Sequence, residues 1–183
     1  MRKFLIILAI LPLLSGCYLK QKSKPYTYYE LKFMQNTCIN KNAKTKNIYI
    51  ANILSTSLVE KRDILVVDYL HKAQYLKDAK FITMPSDMVY KAINDAIFSD
   101  CGLNPIFAPR EDGLRLKVKI ITLGVYEDEA VVTLGYEIFN AFNARKSAII
   151  TKKVFVKNPQ NQTIFNALND ALNLAINETL KAI

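Results

Sequence analysis

The sequence predicts an α+β fold, a largely antiparallel sheet with two main helices packed on one face. Three observations lead to this prediction. Several segments alternate apolar and polar residues with the period of two that is typical of a strand. Two longer segments, which begin near residues 85 and 162, repeat apolar residues at helical spacing. The elements follow in the order strands, helix, strands, helix, without internal repeats, and this order is typical of one sheet with helices on one side.

Three strands are predicted in the first part of the chain. Tyr29, Leu31 and Phe33 alternate with Tyr28, Glu30 and Lys32, and this alternation predicts the first strand. The other two strands lie in the segments NIYIANI and DILVVDY. The segment LSTSLVEKR between them is predicted to be a loop or a short turn.

A helix is predicted to begin at Pro85, because proline, Ser86 and Asp87 suit a first helical turn. It should end before Gly102. Its apolar residues repeat along one face, which must therefore be buried. They are Met88, Val89, Ala92, Ile93, Ala96 and Ile97.

A long antiparallel hairpin is predicted after the turn residues Asp112 and Gly113. The apolar positions of its two strands are Leu114, Leu116, Val118 and Ile120, then Val132, Leu134, Tyr136 and Ile138. A last strand is predicted in the segment AIITKKVFV. A closing helix carries an apolar stripe formed by Ile164, Leu168, Leu172, Ile176 and Leu180.

The amino terminus has the organisation of a secretory signal. Arg2 and Lys3 precede an apolar run that is shorter than the about 20 residues of a transmembrane helix. The motif Leu14-Ser15-Gly16-Cys17 then resembles the lipobox of a bacterial lipoprotein precursor. We therefore expect a signal peptide over residues 1–16, lipidation of Cys17, a polar tether over 17–27 and one domain over 28–183.

The charge of the mature chain suits an anchored protein. The net charge of +9 falls to +7 when Arg2 and Lys3 are removed with the signal peptide. A basic surface favours anionic headgroups of the membrane to which acyl chains on Cys17 would tie the protein. Nucleic acid is not an expected partner, because an exported and tethered protein would rarely meet it.

Two cysteines remain in the domain, Cys38 and Cys101. In an oxidising compartment they could form a disulfide, and otherwise they would be buried thiols. The spacing of cysteine and histidine residues matches no known metal-ligand pattern, and no metal is expected.

Catalytic patterns are weak. His71 follows Asp68 by three residues, but no nucleophile motif surrounds it, so a structural or solvated role is favoured. The adjacent carboxylates Glu127, Asp128 and Glu129 suit a hairpin tip in water better than a tuned acid/base pair, which requires burial. With five glycines in the whole chain, a phosphate-binding glycine loop is not expected. We predict a protein without enzymatic activity and without a cofactor.

The segment YLHKAQYLKDAKFITMPSDMVYKAINDAIFSDCGL, residues 69–103, resembles the most characteristic region of the ABC-type transport auxiliary lipoproteins, the PqiC-like family that accompanies Mce-domain lipid transporters. The resemblance places the family motif at Tyr75, Phe81 and Pro85. The paired strands, last strand and closing helix extend it over nearly the whole mature chain. Phe81 stands where family members usually have tryptophan, and it could be core filler, which we favour, or part of a contact surface.

The resemblance implies a lipoprotein of the cell envelope that is anchored in the outer membrane and faces the periplasm. Its partners would be an Mce-domain protein and the ABC transporter components of a phospholipid transport system, and homo-oligomers are compatible with the family. Two alternatives stay open. One is a regulatory lipoprotein of envelope assembly, such as a peptidoglycan-synthase activator or a module like the TolB amino domain, and the other is a lipid-carrying cup between sheet and helices.

Overall fold

The computed structural model describes residues 25–34, 38, 45–140 and 143–183. Within them, nine strands form one sheet and two helices pack on it. The elements in chain order are β1 (Thr27–Tyr29), β2 (Lys46–Ile50), β3 (Leu54–Ser55), β4 (Asp63–Val67), β5 (Ala73–Phe81), α1 (Pro85–Ser99), β6 (Leu103–Ile106), β7 (Leu114–Tyr126), β8 (Glu129–Asn140), β9 (Asn143–Phe155) and α2 (Asn161–Lys181). The predicted signal peptide, residues 1–16, and Cys17 lie outside the described residues, and so does most of the predicted tether.

Strand β7 is the centre of the sheet. One of its edges pairs antiparallel with β8 along its whole length, and β8 pairs antiparallel with β9. Its other edge pairs in parallel with β2, β3 and β4 in turn. Beyond these, β6 pairs with β2, and β5 followed by β1 extend the sheet from β4. The longest ladders are antiparallel, so the predicted α+β fold with a largely antiparallel sheet is confirmed.

The hydrophobic core lies between the sheet and both helices. On β7 and β8 the predicted apolar positions pair across the ladder, as Leu116 does with Ile138 and Ile120 with Leu134, and both pairs are buried. The apolar stripes of α1 and α2 meet this same face of the sheet in one continuous cluster. Burial of these matched faces is the main driving force for the fold.

The two helices have the apolar faces that the sequence predicts. Pro85 is the first residue of α1, where its missing N–H costs no hydrogen bond, and all six predicted stripe residues of α1 are buried. Helix α2 runs for 21 residues and buries Ile164, Leu168, Leu172 and Ile176. Neither of the helices in the described part of the chain is long and apolar enough to cross a membrane.

Two asparagines in the buried face of α2 bind the segment that follows β1. Lys32 N–H donates to Asn169 Oδ1 at 2.8 Å, and Met34 N–H donates to Asn173 Oδ1 at 2.9 Å. The amide nitrogen of Asn173 donates to the Lys32 carbonyl at 2.9 Å and to the Asn169 carbonyl at 2.8 Å. We call Asn169 and Asn173 the asparagine clamp. It satisfies backbone groups that a neighbouring strand would otherwise pair.

The clamp explains one difference from the predicted strands. The alternation of Tyr29, Leu31 and Phe33 predicts a strand over all three, but β1 ends at Tyr29. Beyond it the chain leaves the sheet and lies along α2, with Leu31 fully buried and Tyr29 stacked on Phe165, their ring centroids 4.8 Å apart. Three further strands, β3, β5 and β6, are not among the predicted ones. The segment LSTSLVEKR, predicted to be a loop or a short turn, contains β3, because Leu54 and Ser55 pair in parallel with β7.

Cys38 and Cys101 form a disulfide, with their Cα atoms 5.2 Å apart. The sequence left open a disulfide or two buried thiols, and the structure contains the disulfide. It joins residues 63 apart in sequence and ties the segment before β2 to the turn that follows α1.

Candidate functional site

The candidate site is the face of the sheet opposite the helices, which we call the outer face. On β8 and β9 the core positions alternate with outward ones, because successive side chains of a strand point to opposite faces. Glu137 and Ser147 pair across the ladder on this outer face, and both are exposed. A sheet with one face packed and one face free is available for binding without any rearrangement of its core.

An apolar groove of about 400 Å³ lies on the outer face. Its floor is at Gly135 on β8, where the absence of a side chain makes room, since a Cβ there would lie 3.3 Å from Ile121 Cδ1. Leu54 and Ile149 line it and are exposed to 61% and 69%. Large apolar side chains that remain this exposed around one groove indicate a contact surface.

A β-bulge shapes the groove. The β7–β8 register shifts between Ile120 and Thr122, which leaves Ile121 without a directly opposite residue. A bulge twists the strand and redirects the side chain of its extra residue. As a result, Ile121 forms a wall of the groove next to Gly135.

Lysines border the apolar groove. Lys117 and Lys119 both line it, and the Lys117 ammonium lies 4.9 Å from the centre of the Phe139 ring. In the part of the chain that the structure describes, neither lysine forms an ion pair. Glu137 also lines the groove, directly opposite Lys117 in the ladder, so the border has one carboxylate beside two lysines and is positive overall. Such a surface suits a partner that combines apolar and acidic groups.

A second feature, the aromatic edge, lies where β1 enters the sheet. Lys80 lies 4.5 Å from the ring centre of Tyr26, and Arg62 lies 5.0 Å from that of Tyr28. Both distances are within the range of favourable cation–π contacts. A hydrogen bond to Asp63, at 2.9 Å, raises the pKa of Lys80, so this lysine stays charged.

The predicted motif residues do not form one site. Phe81 is 1% exposed and lies in the core, which agrees with the core role favoured from the sequence. Pro85 is also buried, at the start of α1. Tyr75 is exposed on β5, where its hydroxyl accepts a hydrogen bond from Lys61 at 2.8 Å and raises the pKa of that lysine. Two of the three residues are thus structural, and only Tyr75 is available for contact.

The weak catalytic candidates have structural surroundings. The Asp68 carboxylate accepts hydrogen bonds from the N–H groups of Leu70 and Lys72, both at 2.9 Å, and so holds the β4–β5 turn. His71 lies in that turn with a left-handed backbone, φ 58°. At the β7–β8 tip, Glu129 pairs with Lys153 at 2.6 Å. Across the described residues, no cluster of three histidine, cysteine, aspartate or glutamate side chains could hold a metal ion.

Sequence reasoning missed the groove and the aromatic edge. The groove depends on a bulge and on Leu54, which is brought in by the parallel pairing of β3 with β7. The aromatic edge depends on the pairing of Tyr28 with Lys80, 52 positions apart in the chain. The local signal for the groove was the alternation of Lys117 and Lys119 along β7, together with Gly135 in the next strand.

Comparison with known proteins gives a fold likeness only. No family model matches the sequence, and no curated protein matches it. Among solved structures, a Xanthomonas campestris protein described as a member of family DUF330 is similar with a TM-score of 0.74 and 13% identity, over 85% of this chain and 93% of that one.

Two further solved structures share the fold. An uncharacterised protein is similar with a TM-score of 0.73 and 7% identity, over 87% of this chain and 99% of that one. A hypothetical protein from Chlamydia trachomatis has a TM-score of 0.50 and 7% identity, over 75% of this chain and 95% of that one. At these identities the likeness establishes a shared α+β architecture and leaves the function to be inferred from the site.

Proposed function

We propose that this protein is a periplasm-facing lipoprotein that acts, without catalysis, as an auxiliary component of an ABC and Mce-type phospholipid transport system that maintains the outer membrane. The observation that carries the proposal is the outer face, an apolar groove bordered by lysines on a domain that the lipobox motif would tie to a membrane. Such a face suits the docking of a partner that must be held next to the membrane.

The aromatic edge supports a position close to the membrane surface. Eight residues separate Cys17 from Tyr26, and the nine Cα–Cα steps between them reach at most about 30 Å when fully extended. Tyrosines beside lysine and arginine are suited to the interface between water and lipid headgroups, where rings and cations both find favourable contacts. An anchor on Cys17 would therefore keep this edge within reach of the headgroups.

The two alternatives differ in support. A lipid-carrying cup would need space between the sheet and the helices. That region is packed, because Leu134 of the sheet and Leu168 and Leu172 of α2 are all fully buried in the same core cluster. The groove lies on the opposite face. A regulatory lipoprotein of envelope assembly would use the same kind of docking face, so partner identity distinguishes it from the transport role.

Co-purification of the tagged full-length chain from its own cells in mild detergent tests the proposal. We expect an Mce-domain protein together with an ATPase and a permease in the purified fraction, identified by mass spectrometry. A Cys17→Ser variant, which removes the thiol to be lipidated, should lose this association while its domain folds normally. Recovery of peptidoglycan-synthesis or Tol proteins instead would overturn the transport role in favour of the regulatory one.

A further inference from the structure

Strand β9 is a long edge of the sheet. It runs from Asn143 to Phe155, 13 residues, whereas strands in globular proteins usually have about 5 or 6. Within the described residues it pairs only with β8. Alternate residues of an edge strand direct their N–H and C=O groups away from the sheet, so β9 offers a row of hydrogen-bonding groups to an added strand.

The side chains of β9 leave this edge accessible. Ile149 is exposed to 69%, and it lies on the outer face next to the apolar groove. Phe155, at the end of the strand, is also largely exposed. Soluble proteins usually shorten, bend or cover an edge of this length, because an accessible one recruits other strands. An edge that keeps its length and its apolar side chains is suited to a partner.

The charge of the edge points to an acidic partner. Lys146, Lys152 and Lys153 lie on β9, and two of them have glutamate neighbours, Glu178 at 3.9 Å from Lys152 and Glu129 at 2.6 Å from Lys153. Lys146 forms no ion pair within the described residues. Lys119 lies two strands inward, across Gly135 from Ile149, so among the described residues Lys146 is the unpaired lysine of the edge itself.

The same charges disfavour a second copy of this chain. If two β9 strands paired antiparallel about Ile149, Lys146 of each copy would lie directly opposite Lys152 of the other. Like charges directly opposite in a ladder are destabilising. Pairing with an acidic segment instead brings opposite charges together.

We propose that β9 takes up an extended segment of a partner protein as an added strand, and that this segment alternates acidic and apolar residues. Backbone hydrogen bonds along the edge provide the affinity, and an apolar side chain against Ile149 fixes the register. Lys146 is three positions from Ile149 and lies on the opposite face of β9, so carboxylates that alternate with the apolar residues meet Lys146 and provide the selectivity. The inference deepens the proposed function, since it states which surface of this protein a component of the transport system would bind.

Site-specific photo-crosslinking in cells tests the inference. A photoreactive residue replaces Ser147 on β9 in the full-length chain, and a matched one replaces Asp170, which is exposed on α2. We expect Ser147 to crosslink to a different protein through a segment that mass spectrometry maps as acidic and free of helix, and Asp170 not to do so. Crosslinks between two copies of this chain, or none from Ser147, would overturn the inference.

A charge variant adds a second readout. Lys146→Glu should lower the Ser147 crosslink yield about fivefold, because a surface charge contact contributes up to about that factor. Lys72→Glu, an equal change of charge in the β4–β5 turn, should leave the yield unchanged, and equal melting temperatures would show that both variants fold. If Lys146→Glu and Lys72→Glu gave equal Ser147 crosslink yields, the partner segment would not be recognised by its acidic residues. Crosslinks from Ser147 to an acidic segment of a protein unrelated to lipid transport would support this inference and refute the proposed function. Crosslinks of transport components to other surfaces of this protein, and none from Ser147, would support the proposed function and refute this inference.

Discussion

Replacement of Asn173 by alanine tests how the amino-terminal segment is held to the domain. Asn173 is 3% exposed and makes three hydrogen bonds, with Met34 N–H, the Lys32 carbonyl and the Asn169 carbonyl. Two of these bonds fix the chain just after β1. Because the predicted anchor precedes β1, they also connect the tether to the body of the domain.

The expected loss follows from these bonds. A typical intramolecular hydrogen bond contributes about 1 kcal/mol net, and a buried group left without a partner adds a desolvation penalty. Alanine at position 173 removes all three bonds and leaves partly buried backbone groups of Lys32 and Met34 unpaired. We therefore expect the free energy of unfolding to fall by about 3 kcal/mol, which lowers the melting temperature of a domain of this size by about 6 to 12 °C.

Urea denaturation of the purified domain measures the change, and hydrogen exchange at the Met34 amide locates it, because that N–H donates to Asn173 whereas the Lys32 N–H donates to Asn169. Asn166→Ala is the matched control, since Asn166 lies on the exposed face of α2, where its side-chain oxygen accepts a hydrogen bond from Gln162. It should lose less than about 0.5 kcal/mol. If Asn173→Ala cost no more than the control, or the Met34 amide stayed protected, the asparagine clamp would not hold the segment as described.

Three further predictions concern the disulfide, the core and one ion pair. Cys101→Ser should destabilise the domain by about 4 kcal/mol, because it opens a loop of 63 residues. Non-reducing mass spectrometry of the natural chain should show the bridge to Cys38 as a loss of two hydrogen atoms relative to the reduced chain. Phe81→Ala should cost about 3 to 5 kcal/mol in urea denaturation, whereas Phe81→Leu should cost far less, and equal losses would contradict a packing role. The hydrogen bond from Lys91 lowers the pKa of Glu30 below its usual value of 4.5. The ionised Glu30 carboxylate therefore stabilises the folded domain at pH 7, and this stabilisation declines as the pH falls below about 4.5 and vanishes below the folded-state pKa. Glu30→Gln should therefore be less stable than the natural chain at pH 7 but not in strong acid, and a difference that persisted there would refute the ion pair as its cause.

The strongly amphipathic elements could be predicted from local sequence. Alternation along β7 and β8 and the apolar stripes of α1 and α2 match the burial that the structure shows. Each of these elements has a partner that is either adjacent in sequence or large enough to bury a whole face. Local periodicity is sufficient in such cases.

The elements that depend on distant partners could not be predicted in this way. Strand β5 is exposed over most of its length and has no clear alternation, so only its pairing with β4 and β1 makes it a strand. Strand β1 is shorter than its pattern predicts because the asparagine clamp, over 130 positions away in sequence, takes over the next residues. The groove was not predictable for the same reason, since it combines β3, a bulge in β7 and β9.

Phospholipid movement between the two membranes tests the central claim most directly. Cells that lack this gene would be compared with cells that carry the natural chain or Cys17→Ser, and labelled phospholipid would be followed from one membrane to the other. The account predicts slower transfer without the gene, full recovery with the natural chain and little recovery with Cys17→Ser. Equal transfer in all three strains would contradict a role in lipid transport.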